Sequence, residues 1–491
     1  MTEAEQQAAV AKAKAFRLDG DLESAETSIA ALLLARPTDQ AALVEGACLA
    51  WAREDWQGAA ERYAALIVHH PDAASLSFHV RLARAWLNRS RPGRAAKALA
   101  VAWDAYPNNS RLVILRAQAD IARGEGERAL RYVLPYLAAS AIRARRVHAA
   151  LHRLFFRRGH VNAAYRIKGE CARVYAQAPR PRSARARLQR AAAYGYLGDF
   201  ASGHALVVAE PYDRRSRPEI TEQYLRYCEL MTGRDPATVF RDLYDAEGED
   251  PDTAPTRPGQ WGRDDFRRHL QGRSIAIVGP ADTRQDLRAE IDAFDIVVRN
   301  NVFSTSDLDY SADLLGRRVD MAYYTGATFA RRRAELINFA GASGIIPVLR
   351  RPSNLAAARA AGLLNARTCS PSPQNFLPNY NSMHSVQRML WDLLKFGPRR
   401  VKLFNVTFYA GGMYSPGYRP RNKAPSLTSL GIAHDPLQGF RFTRNLRRLG
   451  VIECDAVATE ILEWTEERYL DRLQTDYADH WRPPRRTPAA R

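Results

Sequence analysis

SIAIVGPADTRQDLRAEIDAFDIVVRNN, residues 274–301, decides the fold class. It holds two short apolar runs, SIAIVG and FDIVVRNN, separated by a polar turn and the helical segment LRAEIDAF. Short runs rich in Ile and Val, bounded by turn residues and joined through a helix, predict buried parallel strands. Downstream, VDMAYYT (Val319–Thr325), GIIPVLR (Gly344–Arg350) and RRVKLFNVTFY (Arg399–Tyr409) supply a third, fourth and fifth strand. Helical segments lie between them, notably MHSVQRMLWDLLKFG (Met383–Gly397). This alternation predicts a Rossmann-like, mostly parallel α/β domain with helices on both sheet faces. Ligands in such sheets bind at the carboxyl ends of the strands, so the residues after each strand are the candidates for function.

Upstream the pattern is helix only. AEGEDPDTAPTRPGQWG (Ala246–Gly262) is acidic, rich in Pro and Gly and without apolar periodicity, which predicts an interdomain connector. Before it, GDLESA, EDWQGA, RPGRA, GEGERA and GHVNAA place Ala25, Ala59, Ala95, Ala129 and Ala164 at intervals of 34, 36, 34 and 35 residues. That is the tetratricopeptide period, and Pro37, Pro71 and Pro107 stand where a second helix ends. A weaker sixth unit starts at GDFASG (Gly198–Gly203). The spacing resembles tetratricopeptide repeats, which predicts an α-solenoid with a concave face for a protein or an extended ligand. The expected division is a repeat domain over 1–245, a linker over 246–262, a catalytic domain over 263–475 and a basic tail over 476–491. A fragment starting near Gly262 is then expected to fold alone.

The bulk numbers fit this division. A chain of 491 residues with 46% hydrophobic content builds more than one core. It has no apolar run of about 18 residues and no basic-then-apolar leader in MTEAEQQAAVAKAKAF, so a soluble, cytoplasmic protein is expected. Five scattered cysteines without metal-ligand spacing fit reduced thiols. The formal charge of +19 suits an anionic partner such as a nucleotide, an acidic glycan or the inner face of an anionic membrane. An Arg-rich, Ala-rich composition is the competing explanation for that charge. The basic tail RPPRRTPAAR lacks an aromatic-basic platform, so no specific nucleic acid is expected.

The chemistry-bearing blocks follow the strands. Gly279-Pro280 opens the turn after the first strand, Arg299-Asn300-Asn301 closes the second, Gly316-Arg317-Arg318 leads into the third, and Tyr323-Tyr324-Thr325 ends it. Together with Ile291, Asp292 and Asp295 they resemble, in order, the large sialylmotif of sialyltransferases (glycosyltransferase families 29 and 42). NSMHSVQRMLWDLLKFGPRRVKLFNVTFY (Asn381–Tyr409) is similar to the small sialylmotif, and GIAHDPLQGFRFTRNL puts His434 where that family keeps its catalytic histidine. The resemblance covers about residues 272–470 and implies the sialyltransferase-type variant of the GT-A fold.

It also implies an inverting, metal-independent transferase that moves sialic acid or Kdo from a CMP-sugar donor to a glycan or glycolipid acceptor in bacterial cell-surface polysaccharide biosynthesis, without a cofactor. The candidate catalytic residues are His434, Tyr409 and Tyr414: a neutral imidazole to take the acceptor proton, and two tyrosines on the phosphate where bacterial relatives use them. The candidate nucleotide contacts are Gly279, Pro280, Asn300, Asn301, Thr325, Ser382 and Ser385. The asparagines offer paired donors and acceptors at a strand end. The serines lie at a helix amino terminus, where they serve either an anion or simple capping. Asp435 is placed to orient His434.

Three features depart from the pattern. Gly279 is followed by Pro280 where the family commonly has Asn, the Ser-Thr-Gly of the animal small motif is missing, and Ile275 replaces a disulfide cysteine. Asp307-Leu308-Asp309 is a DxD, a metal-nucleotide signature elsewhere, but falls in a variable loop of the pattern. GPADT lacks the glycines of a nicotinamide site. The alternative function is a repeat scaffold carrying a degenerate, non-catalytic transferase domain.

Overall fold

The computed structural model describes residues 2–178, 183–209, 218–247, 254–369, 384–411, 418 and 434–476. It divides into two compact units, Met1–Phe155 and Phe156–Arg491. No helix among the described residues is long and apolar enough to cross a membrane.

The first unit is built of antiparallel helical hairpins. Helices α1 (Glu3–Leu18) and α2 (Leu22–Ala35) form the first, α3 (Gln40–Ala52) and α4 (Trp56–His69) the second. Next come α5 (Leu76–Asn88) with α6 (Pro92–Ala105), α7 (Ser110–Ala122) with α8 (Gly126–Ala138), and then α9 (Ala141–Arg157). The period is set by packing and by the turn. Ala25, Ala59, Ala95 and Ala129 are all fully buried, one on the second helix of each hairpin, where a larger side chain would force neighbouring helices apart. The turn before each second helix carries one left-handed residue: Gly20 (φ +87°), Glu54 (+57°), Ser90 (+55°) and Gly124 (+83°). Asp21 and Asp55 then cap the second helices by accepting the N–H of Ser24 and Gly58.

The same grammar runs on into the second unit through α10 (Val161–Gln177), α11 (Ala184–Tyr196), α12 (Phe200–Val208), α13 (Pro218–Met231) and α14 (Pro236–Glu247). Ala164 is again fully buried, and Gly159 and Gly198 have positive φ. The compact division therefore falls at Phe155/Phe156 and not in the 246–262 connector. The physical reason is burial. Tyr227, Leu230, Val239, Phe240, Leu243 and Tyr244 of α13 and α14 share one apolar core with Ile275, Ile277, Val298 and Leu403 of the sheet. Residues 248–253 of the expected linker lie outside the described residues.

The sheet is seven-stranded and parallel, in the order β5-β4-β3-β2-β1-β6-β7. The strands are β1 (Ser274–Val278), β2 (Ile296–Asn300), β3 (Met321–Tyr324), β4 (Ile346–Leu349), β5 (Arg367–Thr368), β6 (Arg400–Phe404) and β7 (Glu453–Cys454), and the helices α15 (Arg263–Leu270), α16 (Arg288–Asp292), α17 (Ala312–Leu315), α18 (Gly326–Arg331), α19 (Arg333–Ser343) and α20 (Pro352–Ala360) precede or connect the first five. The five strands expected from sequence are present; β5 and β7, two residues each, are too short to show a period. Side chains alternate between faces. Ile275 and Ile277 point into the core shared with α13 and α14, whereas Ala276 and Val278 join Ile291, Phe294 and Phe404 on the other face. The chain moves outward from β1 to β5 and then returns to place β6 on the other side of β1. This topological switch point opens a crevice at the carboxyl ends of β1 and β6.

Candidate functional site

A cavity of about 320 Å3 occupies that crevice. It is bounded by the strand-end loops, by the amino terminus of α21 (Ser385–Leu394) and by the first turn of α22 (Pro436–Arg448). Seven of the ten residues expected from sequence line it: Pro280, Asn300, Asn301, Thr325, Ser385, Tyr409 and His434. Ser382 and Tyr414 lie outside the described residues. Gly279 is not a lining residue. A Cβ there would meet the Asn405 carbonyl oxygen at 2.6 Å and Val406 Cγ2 at 2.7 Å, so its role is to let the loops after β1 and β6 pack closely.

Asn405, which the sequence reading passed over, ties those loops together. Its Nδ2 donates to the carbonyls of Gly279 and Ala281, its Oδ1 accepts from Thr283 Oγ1 at 2.7 Å, and its N–H donates to Asp455 at 2.5 Å. The floor so built is strained. Of the eight non-glycine residues with positive φ among the described residues, Asn301, Asn405, Phe408 and Tyr409 all line this cavity. Backbone held in that region against its preference marks functional sites, because the surrounding packing must sustain it.

The blocks that carried the resemblance split into framework and lining. Arg299 is buried, and its guanidinium holds the carbonyls of Leu315, Gly316 and Arg318. Arg318 in turn holds those of Asp292, Phe294 and Asp295. Tyr323 donates to the buried Asp392, which Arg367 grips with two hydrogen bonds of 2.7 and 2.8 Å. Both carboxylates of the DxD are engaged by arginines, Asp307 by Arg332 at 3.1 Å and Asp309 by Arg317 at 2.9 Å. Asn301 Oδ1 accepts the N–H of Thr325 at 3.2 Å, and Thr325 caps the short helix Gly326–Arg331. Asn300 Oδ1, by contrast, is buried in the lining with no hydrogen-bond partner among the described residues.

The electrostatics favour an anion. No Asp or Glu is among the described lining residues, whereas Arg350 and Arg388 are. Arg388 Nε is buried without a hydrogen-bond partner among the described residues, and burial followed by repulsion from Arg350 brings its pKa down to about 10. Ser385 does not cap α21 from within. The N-cap residue is His384, which makes no side-chain cap, and the first turn of α21 lines the cavity through Ser385, Val386 and Gln387. A helix amino terminus that its N-cap side chain leaves uncapped, its dipole and two guanidiniums form an anion seat among the described residues.

His384 is the site residue that sequence reasoning missed. Its Nδ1 is 2.9 Å from the Tyr409 hydroxyl, and its ring stacks on that of His434, centroids 4.5 Å apart at 25°. Burial, then His434, then Arg388 hold its pKa well below the ordinary histidine value, so it is neutral and its tautomer is linked to the direction of the Tyr409 hydroxyl. Asp435 does not orient His434. It accepts from Lys168 and from Tyr165 Oη at 2.9 Å, and caps α22 through Gln438 N–H at 3.1 Å. Burial alone would raise the Asp435 pKa, but Lys168 and these hydrogen bonds bring it below the usual carboxylate value. Helix α10 therefore anchors the residue next to His434.

No protein-family model and no curated protein matches the chain. Among solved structures it is similar to a tetratricopeptide repeat protein from Parabacteroides merdae ATCC 43184, at 20% identity over 50% of this chain and 94% of that one, with a TM-score of 0.27. It is also similar to a mutant O-GlcNAc transferase from Thermobaculum terrenum, at 14% identity over 98% of each chain, with a TM-score of 0.22. At these TM-scores neither likeness bears on the reaction, and the functional reading rests on the cavity.

Proposed function

We propose that the second unit is an inverting glycosyltransferase that moves an acidic sugar, sialic acid or Kdo, from a CMP-activated donor to a hydroxyl of a glycan or glycolipid. The observation that carries the reading is the cavity at the switch point, whose described lining residues include no carboxylate and where two arginines and the amino terminus of α21 meet two stacked histidines and a tyrosine. In this reading the anion seat of Arg388, Arg350 and α21 receives the phosphate, and Asn300 with its unsatisfied oxygen reads the nucleoside. His434 takes the proton of the acceptor hydroxyl as its oxygen attacks the anomeric carbon from the face opposite the leaving group. The bond between that carbon and the phosphate oxygen breaks, and the electron pair departs with CMP. The Tyr409 hydroxyl, set by His384, donates a hydrogen bond to the departing oxygen. The cavity residues act without a metal, and the repeats hold the acceptor or a protein partner at the inner face of a membrane, in a cytoplasmic protein.

The test is a donor screen with CMP-sialic acid, CMP-Kdo and UDP-sugars, scored by nucleotide released with and without acceptor. CMP release from one of the two CMP-sugars supports the proposal. Release from UDP-sugars alone overturns it, and CMP binding without turnover leaves the scaffold with a degenerate transferase domain.

A further inference from the structure

A second cavity, of about 240 Å3, lies within the same unit between α11–α13 and α22. The two cavities lie on opposite faces of one helix. Pro436, Gly439 and Phe440 line the first, whereas Gln438, Arg441 and Asn445, rotated by about half a turn at 100° per residue, line the second. The second cavity contains none of the residues assigned to the proposed transfer.

Its lining has three properties together. Tyr196, Phe200 and Tyr227 give it aromatic walls. Gln438 and Asn445 give it side-chain amides, each both donor and acceptor. Among its described lining residues the charges do not balance: Arg441 and Arg444 both bond one carboxylate, Glu466, at 2.8 and 2.9 Å. Arg441 also donates to the Tyr196 carbonyl at 2.9 Å and stacks over that ring, which fixes its guanidinium. Arg444 reaches the Trp464 carbonyl at 3.4 Å, yet its Nε is buried with no partner among the described residues. A charged donor left unmade is costly, and Arg444 is one of the residues that line the cavity.

We infer that this cavity is a second ligand site, taking a single sugar ring that carries one carboxylate. The carboxylate offsets the excess positive charge of Arg441 and Arg444. The C–H face of the ring packs on the aromatic walls, and its hydroxyls match Gln438 and Asn445. The volume sits below the roughly 300–1,000 Å3 of ordinary small-molecule pockets, which suits one ring and not a nucleotide sugar. Because α22 begins directly after His434, a ligand here bears on the helix that carries the first cavity's wall.

The inference does not depend on the transferase reading, and its test measures binding only. The full chain is titrated calorimetrically with N-acetylneuraminic acid and with glucuronic acid, against glucose and benzoate. The expected result is binding of at least one sugar acid at least tenfold tighter than glucose or benzoate. Gln438→Ala and Asn445→Leu, each checked for an unchanged thermal midpoint, should weaken it about tenfold, while Asn300→Ala in the first cavity leaves it unchanged. Should either variant unfold, the other carries the test. Equal binding of glucose removes the charge argument, tighter binding of benzoate removes the sugar, and loss in Asn300→Ala with retention in the α22 variants places the ligand in the first cavity. Each of these overturns the inference, as does the absence of any sugar-acid binding.

Discussion

Cutting the chain at Gly262, where composition marks a connector, should abolish folding of the sheet domain. The cut removes Tyr227, Leu230, Val239, Phe240, Leu243 and Tyr244, six side chains buried in the core that contains β1, β2 and β6. Burial of such side chains contributes about 1.5–3 kcal/mol each, so their loss costs roughly 9–18 kcal/mol. A whole domain is stable by only about 5–15 kcal/mol. The cut also takes a partner from three buried polar groups: Asp435 loses Lys168, Trp391 Nε1 loses Gln223, and Lys395 loses Glu247. A fragment starting at Phe156 keeps all of these. The assay is urea unfolding of the two fragments followed by circular dichroism, with CMP titration of each. The Phe156 fragment should give one cooperative transition and bind CMP, and the Gly262 fragment should give neither. A cooperative transition in the Gly262 fragment, with CMP affinity matching the full chain, would refute the reasoning and restore the connector as the domain boundary.

Four further outcomes are expected. His434→Ala should lower acceptor transfer on the order of a hundredfold, with CMP affinity by calorimetry nearly unchanged; a parallel loss of CMP binding would make His434 a nucleotide contact. Asn301→Gly, which suits the left-handed backbone while removing the oxygen that accepts from Thr325, should weaken CMP binding by about 1–3 kcal/mol, and an unaltered titration would exclude that side chain from the site. Lys168→Met leaves Asp435 buried and unpaired, so unfolding free energy at pH 7 should drop by about 3–5 kcal/mol. Asp435 is held below its ordinary value in the folded protein, so its contribution is present at neutral pH and lost as pH falls through the lowered value; the gap between wild type and variant should therefore narrow below about pH 4. Ser90→Gly, at φ +55° where Gly20 and Gly124 mark the equivalent turns, should stabilise the first unit by about 1 kcal/mol, read as a higher thermal midpoint.

The repeats were legible because two signals coincide in each: an alanine that tolerates no bulk, as at Ala59 and Ala129, and a left-handed turn residue just before the second helix. The end of the first unit was not legible for the same reason. The period continues through Ala164 and Gly198, and nothing local in α13 or α14 tells whether Phe240 and Leu243 bury against a neighbouring repeat or against a sheet. Among the residues that line the cavity, Asn300 and Thr325 could be named from their place at strand ends, and Tyr409 from the family resemblance. His384, Arg388 and Arg350 could not. In sequence His384 is one polar residue ahead of an amphipathic helix, and its pairing with Tyr409 and His434 exists only once β6 and α22 have been brought to it. Asp435 was misread through proximity: its carboxylate is engaged by Lys168, Tyr165 and the cap of its own helix, partners that adjacency in sequence does not reveal.

The position of β1 in the sheet has a consequence for synthesis of the chain. One edge of Ser274–Val278 is covered by β2 within about twenty residues, but the other waits for β6, whose first residue is Arg400. At translation rates of roughly 5–20 residues per second, that apolar edge is open for about 6–25 s on the ribosome. During this interval SIAIV presents unpaired N–H and C=O groups to any other strand, the usual starting point of edge-to-edge aggregation. The cavity is completed later still, since Tyr409 and His434 emerge only after that edge closes. Nascent chains stalled between Gly279 and Arg399 should therefore be both inert and adhesive, and the yield of folded protein should depend on how quickly the ribosome crosses that interval.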